Sequence, residues 1–136
     1  MIVIDASALL EMLLRTDRAE RLMDRALAAS ERLHSPHLLD VEVANVVRRL
    51  VQRKEITLVR AGQVFEDFAQ LFIERHAHGP LLPRIWQLRD AMTAYDGAYI
   101  SLAEALGAPL LTCDGRLARA HGHRATIEMV ESETGK

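Results

Sequence analysis

Short apolar runs alternate with longer helical stripes along the chain. "IVID" at residues 2–5 is an apolar run of buried-strand type that stops on an acid, and "ASALLEMLLR" then places Leu9, Leu10, Leu13 and Leu14 at helical spacing over 6–15. A second amphipathic helix is expected over 17–30 with Asp17 as its N-cap, followed by a candidate strand in "RLHS". From Pro36 to Lys54 the stripe Leu39, Val43, Val46, Val47 and Leu50 marks the clearest helix, with Pro36 in an opening position and cations in the last turn. Residues 57–72 are helical again, "IERHAHGP" holds a short strand and a Gly-Pro break, and "LLPRIWQLRDAM" leads into a helix over 94–106 that Gly107 stops. "APLLTCD" is a second apolar strand ending in an acid; "GRLARAHG" is a short helix and "ATIEMV" a last strand.

Strands alternating with helices imply βαβ units, a parallel sheet covered on both faces, and ligands bound beyond the C-terminal strand ends where the strand order reverses. No repeat or linker interrupts the pattern, so residues 1–131 are expected to form a single domain and 132–136 a polar, fraying tail. A length of 136 residues, 49% of them hydrophobic, suits one domain with a sizeable core. The sequence has neither an apolar run of membrane-spanning length nor a basic, apolar leader, so no membrane contact and a cytoplasmic location are expected. The single cysteine, Cys113, agrees with a reducing compartment and rules out a multi-cysteine zinc site. A formal charge of −2 argues against broad, charge-driven coating of nucleic acid while leaving a small specific site open.

Asp5 and Asp114 end apolar strands, so a parallel sheet brings both to one edge. Glu42, early on the 36–54 helix, and Asp96, in the first turn of the 94–106 helix, reach that edge if their helices begin there. Each has an ordinary structural explanation. Asp5 and Asp114 suit helix N-caps, "TAYD" suits a capping box in which Asp96 reaches back to Thr93, and Glu42 suits a helix dipole. None of these explains a gathering of four acids, whose repulsion raises their pKa values unless a cation neutralises it. Carboxylates without a thiol or imidazole set suit Mg²⁺ or Mn²⁺, which activate water and stabilise phosphodiester displacement. Ser7 and Thr112, each two residues from a strand-end acid, are candidates for holding carboxylates or waters, with local backbone capping as the alternative.

Other chemistries fit less well. Phosphate-accepting aspartates need a site lysine, and only Lys54 and Lys136 exist; a second acid two residues after Asp5 is replaced by Ser7. Gly-rich phosphate loops and GxSxG elbows are absent. The histidine pairs His34/His37, His76/His78 and His121/His123 lack HExxH spacing and read as surface or loop residues ahead of a zinc site.

The stretches "VIDASALL", "PHLLDVEVANVVRRL", "MTAYDGAYISLAEALG" and "PLLTCDGRLARA", in that order and spacing, resemble the PIN domain and within it the VapC ribonuclease toxins of VapBC toxin–antitoxin pairs. The resemblance spans nearly the whole chain. It implies a three-layer α/β/α sandwich with a mainly parallel central sheet of about five strands, and a toxin that is an endoribonuclease using Mg²⁺ or Mn²⁺ to activate water. It places the acidic quartet on Asp5, Glu42, Asp96 and Asp114, with Asp5 and Asp96 as leading metal ligands and Thr112 as the hydroxyl before the last acid. Asn45, one helical turn after Glu42, is a candidate site-lining residue, with helix-face packing as the alternative. Gly97 stands where the family often has alanine, which implies a looser first turn around Asp96. Arg48, Arg49, Arg53 and Lys54, with Arg60, Arg15 and Arg18, are candidates for RNA phosphate contact, and a solvated helix face is the alternative for each. A homodimer inhibited by a cognate antitoxin is implied as well, and the leucine stripe over 6–27 is either core or partner surface. The rival reading is a catalytically silent PIN-like module that binds RNA or protein; a phosphatase is the lesser rival.

Overall fold

Ile2–Ile4 (β1) is buried along its length and pairs in parallel on both sides, with Leu33–Pro36 (β2) and with Leu110–Thr112 (β4). This computed structural model describes residues 1–28 and 30–131; the tail expected at 132–136 lies outside the described residues. Ile73–His76 (β3) extends the sheet beyond β2 and Ile127–Met129 (β5) beyond β4, giving five strands in the order β3-β2-β1-β4-β5, every pairing parallel. The chain therefore builds outward from β1 to β3, then returns to the other side of β1. The order reverses between β1 and β4, where the strand ends leave a crevice.

Alternation along β1 sends its side chains to two cores. Ile2 and Ile4 pack with Leu33, Ile73 and Leu111 against Ala6–Leu13 (α1), Ala19–Ala26 (α2), Leu38–Gln52 (α3) and Leu58–Gln70 (α4). Val3 and Leu110 pack on the opposite face against Leu82–Gln87 (α5), Ala94–Leu106 (α6) and Gly115–Ala118 (α7). The result is the expected three-layer α/β/α sandwich. Each fully buried Leu, Ile or Val contributes about 1.5–3 kcal/mol of burial, so these two cores outweigh any single polar contact. Leu9, Leu10, Leu13 and Leu22 of the early leucine stripe belong to the first core. Among the described residues no helix is long and apolar enough to cross a membrane.

Two element boundaries differ from expectation for local reasons. Pro36 does not open a helix; it ends β2 in register with His76, a strand-end position where its missing N–H is tolerated. Helix α3 starts at Leu38, whose N–H donates to Nε2 of His78 at 3.0 Å. The second helix is shorter than 17–30, and its N-cap is Arg18 rather than Asp17. There the Thr16 hydroxyl accepts from the Arg18 N–H, after Arg15 has turned the chain with φ of 56°.

Candidate active site

Asp5 leaves β1 in extended backbone and caps α1, accepting from the Ala8 N–H at 2.9 Å. The cap explains one hydrogen bond of three. The Ser7 hydroxyl donates to the same carboxylate oxygen at 2.7 Å, and the Thr112 hydroxyl donates to the other at 2.5 Å. Ser7 Oγ in turn accepts from the Cys113 N–H and Thr112 Oγ1 from the Asp114 N–H, both at 2.9 Å, so the two hydroxyls lock the β1 and β4 ends together. Each hydroxyl has one proton and gives it to Asp5, which leaves the 3.2 Å approach between them a contact. Burial pushes the Asp5 carboxyl above its ordinary range despite these three donors, and the charge of Asp114 pushes it further.

The other three acids reach the same edge. Glu42, half-buried on α3, accepts from the Tyr99 hydroxyl at 2.6 Å; burial raises its pKa, and the charges of Asp5 and Asp96 add to the effect. Asp96 and Tyr99 are three apart on α6 and share a face, so one helix presents both an acid and the donor that holds another. The expected capping box forms only in part: the Asp96 N–H donates to Thr93 Oγ1 at 3.2 Å, but its carboxylate faces the Arg116 guanidinium at 3.2 Å. Burial raises Asp96, Arg116 opposes that, and Asp114 reinforces it. Asp114 caps α7 through the Arg116 N–H and lies 3.3 Å from the same guanidinium. Arg116, a residue that sequence reasoning missed, thus stands between two carboxylates. Its signal was its place two residues after a strand-end acid, in the first turn of α7.

Residues 2–122, which include all four acids, match the PIN domain family. The chain belongs to the PIN domain family. Within it, the chain is 44% identical over 130 residues to Ribonuclease VapC12 of Mycobacterium tuberculosis, covering 96% of this chain and 99% of that one, which places it among the VapC-type members. In fold it is similar to PAE2754 from Pyrobaculum aerophilum, with a TM-score of 0.71 at 23% identity, covering 98% of this chain and 84% of that one. It is also similar to VapBC2 from Rickettsia felis, with a TM-score of 0.63 at 15% identity, covering 95% and 98%.

Around this PIN-domain cluster the remaining candidates separate. Asn45 is exposed and accepts from Arg48 at 3.2 Å, a contact along α3 rather than with the acids. Arg48, Arg49, Arg53 and Lys54 are all exposed. Arg49 and Arg53 follow Glu42 by seven and eleven residues and so share its helix face, about 10 and 16 Å along the axis. Arg18 and Arg60 are tied down instead: Arg18 pairs with Glu11 at 3.4 Å, and Arg60 donates to the Leu13 carbonyl at 2.9 Å. Cys113 is pushed up to about 11 by burial, so its thiol stays protonated at neutral pH and supplies no nucleophile. Beside Asp96 opens a cavity of about 340 Å³ lined by Thr93, Arg116, Arg119 and His121. Among the histidines expected at the surface, His34 is the exception, at 4% exposure.

Proposed function

We propose that this protein is the ribonuclease toxin of a type II toxin–antitoxin pair, an endoribonuclease that hydrolyses RNA phosphodiester bonds and requires Mg²⁺ or Mn²⁺. The observation that carries this reading is the meeting of Asp5, Glu42, Asp96 and Asp114 where the strand order reverses, with three of the four carboxyls raised by burial. The donor set fits a hard dication: all ligand atoms are carboxylate oxygens, and the cluster already draws the Arg116 guanidinium between two of its members. Asp5 and Asp96 are the leading ligands, with Glu42 and Asp114 completing the set. A bound ion of this class supplies Lewis-acid charge at the scissile phosphate and lowers the pKa of water there.

The chain's own residues do the positioning. Ser7 and Thr112 fix both oxygens of Asp5, so its orientation survives without a ligand. Tyr99 does the same for Glu42. Arg116, largely exposed at its side chain, is free to leave the carboxylates for a substrate phosphate, and Arg119 lines the same cavity. Arg49 and Arg53 extend a basic track along α3 from Glu42. The similarity to VapBC2 supports a cognate antitoxin as inhibitor; a homodimer as the working form and the cytoplasm as the location belong to the same proposal. An antitoxin arginine entering the cluster would take the place Arg116 now holds.

Purified wild type and Asp5→Asn incubated with total RNA in Mg²⁺, Mn²⁺ or EDTA test the reading. Cleavage by wild type alone, and only with metal, is expected. Equal cleavage by both proteins would mean a contaminating nuclease, and RNA binding without metal-dependent cleavage would favour the silent binding module.

A further inference from the structure

Strands β2 and β3 assemble a different set of metal-binding atoms on the α5–α6 face of the sheet. His34 is in register with Val3, which packs into the α5–α6 core, so both side chains project to that face. Glu74 is in register with His34, and His76, two residues on, points the same way. Nδ1 of His34 lies 2.9 Å from Nε2 of His76 and 3.4 Å from a carboxylate oxygen of Glu74. The three donor atoms all lie within 4.8 Å of one another. Ligands of a tetrahedral zinc ion at bond lengths of 2.0–2.1 Å are separated by about 3.3 Å, so two of these spacings approach those of a loaded site.

We propose that His34, Glu74 and His76 form a cation site separate from the carboxylate cluster, one that takes a borderline dication of the zinc class. Two imidazoles and one carboxylate suit such an ion, whereas the all-oxygen cluster at the β1 and β4 ends suits a harder one. Without a cation the facing ring nitrogens of His34 and His76 share one proton at best, and Nε2 of His34 is buried with no hydrogen-bond partner among the described residues to fix its tautomer. Burial also favours the neutral form of His34, the form that ligates. The exposed Glu74 and the partly exposed His76 stand on an edge strand and leave the remaining coordination position to water. Because no described residue hydrogen-bonds the far nitrogen of the His34 ring, the site lacks an outer-shell contact commonly worth on the order of 10–100-fold in affinity. A labile site is therefore expected. Its structural effect is to pin β3 to β2.

The test uses tag-free full-length protein, stripped with EDTA and desalted, then titrated with Zn²⁺ in the presence of excess Mg²⁺. Wild type is expected to bind one Zn²⁺ and gain thermal stability, and its Co²⁺ form to show the intense visible absorption of a four-coordinate centre. His76→Gln and Glu74→Gln, at a partly exposed and an exposed position that leave folding intact by circular dichroism, should each weaken Zn²⁺ binding by at least about tenfold. Asp5→Asn should leave it unchanged. Absence of Zn²⁺ binding, binding that survives His76→Gln, or binding lost in Asp5→Asn overturns the proposal.

Discussion

Asp5→Asn is expected to make the metal-free protein more stable, although it removes the leading ligand of the proposed metal site. In place of Asp5, the asparagine oxygen can accept from Ser7 and Ala8, and asparagine caps helices as well as aspartate does. Its amide N–H can donate to Thr112 Oγ1, whose freed proton turns to Ser7 Oγ at 3.2 Å. Ser7, Ala8 and Thr112 all keep a partner. Three hydrogen bonds to a charge become three to a neutral group, a loss of roughly 1 kcal/mol each. Against this stands release of a buried ion, worth several kcal/mol. The raised pKa of Asp5 gives only the sign, burial cost over hydrogen-bond gain; several kcal/mol set against roughly 3 kcal/mol leaves a net stabilisation on the order of 1–2 kcal/mol. For a domain of this size that is roughly 3–8 °C in Tm.

The sign follows from proton binding. A carboxyl whose native pKa exceeds its unfolded value holds its proton more tightly when folded, so stability falls as pH rises from the unfolded to the native pKa and stays lower above it. The wild-type minus Asp5→Asn difference should therefore be small near pH 4 and grow as pH rises. Urea denaturation in EDTA across a pH series measures it, and repeating the series in Mg²⁺ should stabilise wild type selectively. An Asp5→Asn protein that is less stable than wild type in EDTA at pH 7.5 would refute the reasoning: the charge at Asp5 would then be a structural asset rather than a strain held for function.

Arg116→Ala should raise Mn²⁺ affinity roughly two- to fivefold, because the ion no longer displaces a guanidinium from Asp96 and Asp114, while KM for RNA rises; calorimetry and cleavage kinetics read the two effects. Tyr99→Phe removes the donor held 2.6 Å from Glu42 and should cost about 1–2 kcal/mol by denaturation and lower kcat. Gly97→Ala should stabilise by up to about 1 kcal/mol, since the added methyl group would meet Ile85 at 3.4 Å and beyond while α6 gains helix propensity; a fall in Tm would mean that α5 cannot give way.

The alternation of apolar runs and stripes was enough to place five strands, the parallel sheet and its two covered faces, because period and β-branched composition are local properties of the chain. Boundaries were less legible. Pro36 reads equally as a helix opener or a strand end, and only its register with His76 decides between them. Asp17 and Arg18 differ as caps through the turn at Arg15, a conformation that composition does not announce.

The same division runs through the site. Asp5 and Asp114 were legible because a strand-end acid in a parallel sheet has one edge on which to emerge, and Glu42 and Asp96 followed from helix position. The fall of the Asp96 carboxylate toward Arg116, the turn of Asn45 away along α3, and the Tyr99 hydroxyl on Glu42 depend on how helices cross, which no local pattern encodes. The histidines show the limit most clearly. Residues 34 and 76 are 42 positions apart, and no spacing rule could join them; the pairing register of β2 with β3 does so. Sequence alone determined which side chains the chain possesses and which elements they ride on. Tertiary structure decided which of them meet, because side-chain proximity is set by strand register and helix packing, and both are properties of the whole chain at once.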